Sequence, residues 1–521
     1  MIAGEVDPLP DAARNADVVI VGAGAVGILM AVDLARRGLG VTLLEAGPRE
    51  PAADYRDHNA GPQTGRPHLG LIEGRMKALG GTTRLWGGQL VPFTRADLEL
   101  ASFPGQPRWP LDHAAYRGWV DAVFDLLGIA PTARDPAAAW HRATGQRAAF
   151  GSAFEVGMNL WLPQPDFARL FARELDAPGT LTVVCGAEVE RLEFGPRGCV
   201  RAVHTPRGAF RAPSVVLACG TIEIARLLLR TAATEPDCGF AGNPHLGRWF
   251  MDHLHGLIGE VEVRDPERIG ELFDYVHHGG LRFGVKLRLA DEARAAQGLG
   301  NGVATINPRL GLRQGLAELA ALLRRLSRGH GSLAETVRHL VVMARITLPL
   351  AWCYLVRRRS ALAFSTGVAV GVEFEQVPSA ESRVFLDPAE PAQSARAGLC
   401  WQPTGAEMRT VQAIGLAVEQ AFAERGLGMV RLDPRVAAGD PGFLDDCHDA
   451  YHQMGGARIG ADPGEGVVDG DLKVFGTGNL FVAGAAVFPS GSFANPTLTA
   501  LALGLRLADH LARGAGREAT A

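Results

Sequence analysis

The chain has 521 residues, 47% hydrophobic and 21% charged, with a formal net charge of −4. At about 100–200 residues per domain this is material for two to four domains, or for one large interleaved unit with a sizeable core. The near-neutral balance excludes the basic field of a nucleic-acid-binding protein.

The lead "MIAGEVDPLPDAARNA" is acidic, contains prolines and runs directly into a strand. It has no basic n-region followed by an apolar h-region. The seven cysteines (Cys185, Cys199, Cys219, Cys238, Cys353, Cys400, Cys447) are scattered, odd in number and without a CxxC pair. That argues against a disulfide framework, and the expected location is the cytoplasm with reduced thiols.

Residues 17–47 read "DVVIVGAGAVGILMAVDLARRGLGVTLLEAG". Val18 to Val21 is an apolar run suited to a buried parallel strand. Gly22, Gly24 and Gly27 form GxGxxG at the start of an apolar helical stretch that "RRGLG" ends. "VTLLE" is a second strand closed by Glu45. The first glycine permits the tight turn, the second lets backbone approach a pyrophosphate, and the third brings helix and strand together. The helix N-terminus offers N–H donors to phosphate, and Glu45 suits ribose hydroxyls while repelling a 2′-phosphate. Together these make a dinucleotide site.

Two later strand–glycine units, "APSVVLACGTIEIARLLLR" (212–230) and "GNLFVAGAAVFPSG" (478–491), lie far down the chain. A nicotinamide domain is finished in one continuous stretch, whereas a chain that returns to its N-terminal sheet from such distances suits FAD. In "KALGGTTRLWGGQLVPF" (77–93), Gly80, Gly81, Gly87 and Gly88 let backbone pass close to a flat ring. Thr82 and Thr83 can bond the pyrophosphate or ribityl chain, and Trp86 packs either near the ring or in the core.

Residues 311–360 hold nine arginines against two acids, Glu318 and Glu335. Leu316 to Leu326 suits an amphipathic helix. The apolar run 340–356 contains Arg345 and Pro349 and is too short and too charged to cross a bilayer. Three readings remain open: helices covering a substrate domain, an oligomer surface, or a basic amphipathic patch touching a membrane or a lipid-linked substrate.

The C-terminal part pairs "YHQMGGARIG" (451–460) with "GSFANPTLTALALGLRLADHL" (491–511). Here the chain resembles the glucose–methanol–choline oxidoreductases. The resemblance runs in order through the fingerprint, the 77–93 loop, "VVLACGTIEIARLLL", "NPHLGRWFMDHLHG" (243–256), "EFEQVPSAESRVFLD" (373–387) and the C-terminal block; 256–370 matches poorly. It implies an α/β chain with an α+β substrate part. A Rossmann-like FAD-binding domain (1–100, 180–255, 440–521) would be interleaved with an antiparallel-sheet substrate domain (101–179, 256–439). Carried over residue by residue, His452 is the base and Asn495 its partner. Val189, Cys219, Gly220, Ala485, Pro496 and Thr497 join the fingerprint and loop residues along FAD.

The expected reaction is oxidation of an alcohol by hydride transfer to flavin N5. A histidine needs little tuning to take the hydroxyl proton near neutral pH. A neutral amide donor holds the same oxygen without competing for the proton. Gly455 and Gly456 are read as a close backbone approach to the ring. "TTRLW" has no histidine where some sugar oxidases of the family link FAD covalently, so FAD is expected to be non-covalent. His448 and His452 stand four apart, but no HExxH glutamate, cysteine or acid cluster completes a shell, and no metal is expected. His253 is read as lining the cofactor domain.

The branch acting on pyranoses and glycosides is the nearest in pattern, so the substrate is read as a sugar or glycoside hydroxyl. The acceptor can be oxygen, a quinone or a protein. A non-sugar alcohol, a lyase that keeps FAD structurally and a silent flavin-binding protein stay open as alternatives.

Overall fold

Apolar runs without alternation build the first sheet, as expected for strands covered on both faces. Its order is Ile2–Ala3, Leu181–Val184, Val41–Leu44, Val18–Val21, Ser214–Leu217, Leu480–Val482, and every pairing is parallel. Val19, Ile20, Leu43, Val216 and Leu480 are fully buried there, each contributing about 1.5–3 kcal/mol of hydrophobic stabilisation. The computed structural model describes residues 2–3, 7–99, 108–145, 150, 153–308, 333–355 and 367–518.

The Ala25–Arg36 helix follows the first strand and buries Gly27 to Val32 and Leu34. The Thr497–Glu518 helix lies against it, with Gly504 facing Val26 and Met30. Four strands of this sheet end on one edge, passing directly to Gly22, Glu45, Ala218 and Ala483.

A nine-stranded sheet follows. Its path is Gly428–Leu432, Leu254–Val263, Val368–Phe374, Gly302–Pro308, Leu281–Leu289, Phe154–Trp161, Gln89–Leu90, with all pairings antiparallel. His448–Asp449 adds to Leu254–His255, and Val276–His278 adds to Leu281–Phe283. The architecture is therefore mixed α/β, with a Rossmann-like parallel layer interleaved with an antiparallel sheet.

The stretch 373–387 spans two sheets: Val368–Phe374 belongs to the nine-stranded sheet, while Arg383–Leu386 pairs with Ala397–Trp401 in a separate three-stranded sheet. The apolar run near 340 continues a helix, Leu333–Leu355, that begins earlier than the run itself. The amphipathic stretch 316–326 lies outside the described residues.

Gly22 sits at φ +104°, and a Cβ at Gly27 would overlap the Gly22 carbonyl oxygen. The turn and the helix start are thus one packed unit. Gly27→Ala must push the helix off the sheet and is expected to cost about 1–3 kcal/mol. The check is a lower thermal unfolding midpoint of the purified variant; an unchanged midpoint would show that the helix start gives way without cost.

Candidate functional site

A cavity of about 850 Å³ runs along the carboxyl edge of the parallel sheet, where open α/β sheets take their ligands. It is near the top of the usual range of about 300–1,000 Å³ for ligand sites. Gly22, Gly24 and Glu45 line it, as do His452 and Asn495.

The lining fits a dinucleotide. Gly24, Gly220 and Gly484 have no heavy atom within 4 Å of where a Cβ would stand, so three strand ends leave open space that a side chain would fill. Gly81 lies against the Gly24 backbone, 2.9 Å from its would-be Cβ to the Gly24 Cα. The Glu45 carboxylate is buried and accepts N–H bonds from Ala23 (3.0 Å) and Gly47 (2.9 Å). Burial pushes its carboxyl up to about 7, against the pull of those two donors and of Lys77.

Among the expected cofactor residues, Gly22, Gly24, Glu45, Gly81, Thr82, Thr83, Trp86, Val189, Cys219, Gly220, Ala485, Asn495, Pro496 and Thr497 line this cavity. Gly27, Gly80 and Gly88 do not. Gly27 packs on Gly22, Gly80 faces Asp166 and Ala168, and Gly88 faces Pro165 and Leu162. Their small size serves packing one layer behind the lining. The Thr83 hydroxyl is held within the protein: it donates to the Gly80 carbonyl (2.6 Å) and accepts from Phe167 N–H (3.0 Å). Trp86 meets both readings, lining the cavity while its indole N–H donates to Pro165 (2.9 Å). Gly455 and Gly456 are absent from the lining; a Cβ at Gly455 would overlap the Trp249 carbonyl oxygen, and Gly456 packs on Ala225. They seat their loop on the protein rather than on a ring.

His452 reaches the cavity on a loop that links the two sheets. Met251 and Met454 pair across it, and Gly455 N–H donates to the Ala485 carbonyl just beyond the last parallel strand. Asn495 stands just ahead of the Thr497–Glu518 helix, and its amide nitrogen lies 2.6 Å from His452 Nε2. On the other side of the ring, His452 Nδ1 is 3.2 Å from Glu373 Oε1 and 2.9 Å from His253 Nδ1. The amide N–H requires Nε2 to be the acceptor, which leaves the proton on Nδ1 facing the carboxylate.

Glu373 is buried in an apolar strand. Its Oε2 takes Lys286 Nζ at 2.8 Å, and its Oε1 also takes His253 Nδ1 at 3.3 Å. Burial alone would raise this carboxyl, but Lys286 and the two imidazoles hold it well below the ordinary glutamate range. It is an anion set against the Nδ1 edge of the His452 ring.

A second buried cluster holds the backbone of the same loop. Asp252 Oδ1 accepts the His452 N–H (2.8 Å), and Asp252 Oδ2 meets His68 Nε2 (3.0 Å). Asp449 accepts the N–H groups of Leu69 (2.7 Å) and Gly70 (2.9 Å). His253–Glu373–His452 and His68–Asp252–Asp449 both have metal-ligand composition. In the first, the Lys286 ammonium on Glu373 repels a cation; in the second, the carboxylates are taken up by N–H groups.

The sequence reading missed Glu373, Lys286, Asp252 and His68 as site residues. For Glu373 the signal was present, as an acid inside the apolar run "VAVGVEF". His448 pairs with His255 at the sheet edge, and both line the cavity.

Residues 17–239 match the family model described as FAD dependent oxidoreductase, and residues 378–504 match that of GMC oxidoreductase. A C-glycoside 3-oxidase of Microbacterium trichothecenolyticum is 43% identical over 102 residues, 18% of each chain. A C-glycoside 3-oxidase of Arthrobacter globiformis is 45% identical over 64 residues, 12% of each chain. The matched segments thus span less than a fifth of those relatives. Among solved structures, a pyridoxine 4-oxidase from Mesorbium loti superposes with TM-score 0.58 at 18% identity, covering 95% of this chain and 99% of that one. A formate oxidase of Aspergillus oryzae RIB40, described for its FAD modification, superposes with TM-score 0.55 at 19% identity, covering 97% and 99%. At that identity the superpositions establish a shared fold.

Because the folded protein depresses the Glu373 carboxyl, the charged pair stabilises fully above the ordinary glutamate range of about 4.3 and loses this as pH falls through the lower folded value. Glu373→Gln leaves Lys286 without its counter-charge and should cost about 3–5 kcal/mol at neutral pH. Thermal unfolding against pH checks it: the gap between parent and variant should narrow below about pH 4.3. A gap that persists at acid pH would deny the charged pair.

Proposed function

This chain belongs to the GMC oxidoreductases, FAD-dependent enzymes, and from that premise we propose that it oxidises an alcohol, specifically a sugar or glycoside hydroxyl. FAD, when bound, supplies the hydride acceptor. The observation that carries the reading is the His452 ring, with Nε2 on Asn495 at the cavity wall and Nδ1 on an anionic Glu373.

The chain's own groups then divide the work. As the substrate hydroxyl replaces the Asn495 N–H at His452 Nε2, that nitrogen takes the hydroxyl proton, and Glu373 stabilises the resulting imidazolium. Asn495 has a second amide hydrogen for the substrate oxygen as negative charge develops there. Asp252 fixes the His452 backbone, so the ring keeps one orientation. Gly24 and Gly81 at the pyrophosphate and Glu45 at a ribose are the proposed cofactor contacts.

Support for a sugar comes from two sides. The short matches are to C-glycoside 3-oxidases, and the cavity holds an aromatic wall beside polar groups. Trp161 lines it with Arg282 stacked 4.6 Å from the ring centre, and the Gln89 amide nitrogen lines it without a hydrogen-bond partner. An apolar wall with a few placed polar groups suits a sugar ring. The oxidase names of these relatives favour oxygen as acceptor over a quinone or a protein.

His452→Ala is expected to slow anaerobic flavin reduction by a glycoside by about 10²–10⁴-fold, and Asn495→Ala by about 10²-fold. Stopped-flow absorbance reads both, and a variant without His452 that bleaches as fast as the parent would remove the base from the proposal. Flavin that no alcohol bleaches would point to the lyase reading. The Gly81–Gln89 loop contains no histidine, so FAD is proposed to be non-covalent. Acid precipitation should therefore leave the yellow colour in the supernatant, whereas colour in the pellet would mean a covalent link.

A further inference from the structure

The Leu333–Leu355 helix lies in the connection between the Gly302–Pro308 and Val368–Phe374 strands. Thirteen large apolar side chains are exposed among the described residues, and seven of them stand on this one helix. Leu333, Leu348, Trp352 and Leu355 are 61–68% exposed, and Val337, Leu340 and Val341 about half. At about 100° per residue these seven fall within an arc of about 120°. The 23-residue helix is about 35 Å long at 1.5 Å per residue. An apolar stripe of that length and width is the face that a helix normally packs against a core, and here it faces outward.

Charge selects the occupant. The surrounding segment 311–360 has nine arginines and two acids, with Arg357, Arg358 and Arg359 directly after the helix. Exposed Arg338 stands at the margin of the arc. A second copy of this chain would bring the same excess of positive charge in the same stretch of sequence. An anionic lipid surface neutralises it. Among the described residues no helix is long and apolar enough to cross a membrane, so such a helix lies in the plane of the surface.

We propose that the Leu333–Leu355 helix seats the protein on an anionic phospholipid surface, its apolar arc in the headgroup region and Arg338 at the level of the lipid phosphates. The test is co-sedimentation of the full flavin-loaded chain with two vesicle types, phosphatidylcholine alone and phosphatidylcholine with phosphatidylglycerol, at low and high salt. The expected result is binding to the anionic vesicles that weakens as salt rises. The double variant Leu348→Glu, Trp352→Glu should lower binding by at least about tenfold. Both side chains are exposed, so the variant's bound flavin and elution volume should match the parent's. Protein that stays in solution with both vesicle types overturns the proposal. So does binding that survives the double substitution, or a dimer that the double substitution dissociates, which would assign the face to a second copy.

Discussion

A carboxylate taken almost wholly out of water must be neutralised or surrounded, and Glu373 is surrounded. Lys286 reaches it from the Leu281–Leu289 strand, His253 from the start of Leu254–Val263, and His452 from a loop almost eighty residues further on. Its charge is tolerable only while all three stand in place. The antiparallel sheet therefore has one acceptable register, because a one-residue slip would turn Glu373 to the other face. The orientation of the His452 ring and the proton on its Nδ1, with Nε2 left to accept from Asn495, follow from that arrangement.

The other half of the site depends on an edge. Four parallel strands end together, and open space stands beside the glycines that follow three of them. Glu45 closes one strand end in a dry setting, where burial and two N–H donors pull its carboxyl in opposite directions. The loop 450–457 spans from the antiparallel sheet to this edge, held underneath by Asp252 and His68. The open glycine edge and the His452–Glu373 cluster thus come from different layers and meet along one cavity.

The outward-facing helix obeys the opposite rule from the rest of the chain. It sits in a connection between two neighbouring strands whose pairing runs unbroken from Gly302↔Phe374 to Pro308↔Val368. A long insertion there changes what the surface presents without disturbing the register that places Glu373. This separation lets one chain carry both a buried ionic site and an exposed apolar face.

The sequence by itself determined what is written in local pattern. GxGxxG between an apolar strand and an apolar helix, followed by an acid after the next strand, specifies a dinucleotide turn wherever it lies. "YHQMGG" and "FANPT" place an imidazole and an amide on irregular backbone. The returning strands at 214–217 and 480–482 were legible for the same reason, as short apolar runs closed by glycine. Tertiary structure alone decided which polar groups are near one another. Lys286 and Glu373 are 87 residues apart; the acid in "VAVGVEF" stands out from its apolar run, but nothing local names Lys286 as its partner. It also decided that Gly80, Gly88, Gly455 and Gly456 pack on protein rather than line the cavity, since a glycine records only that space is short and not what occupies it. The face that the 333–355 helix turns to solvent was likewise open in the sequence, because periodicity defines an apolar stripe and only the neighbouring elements define what covers it.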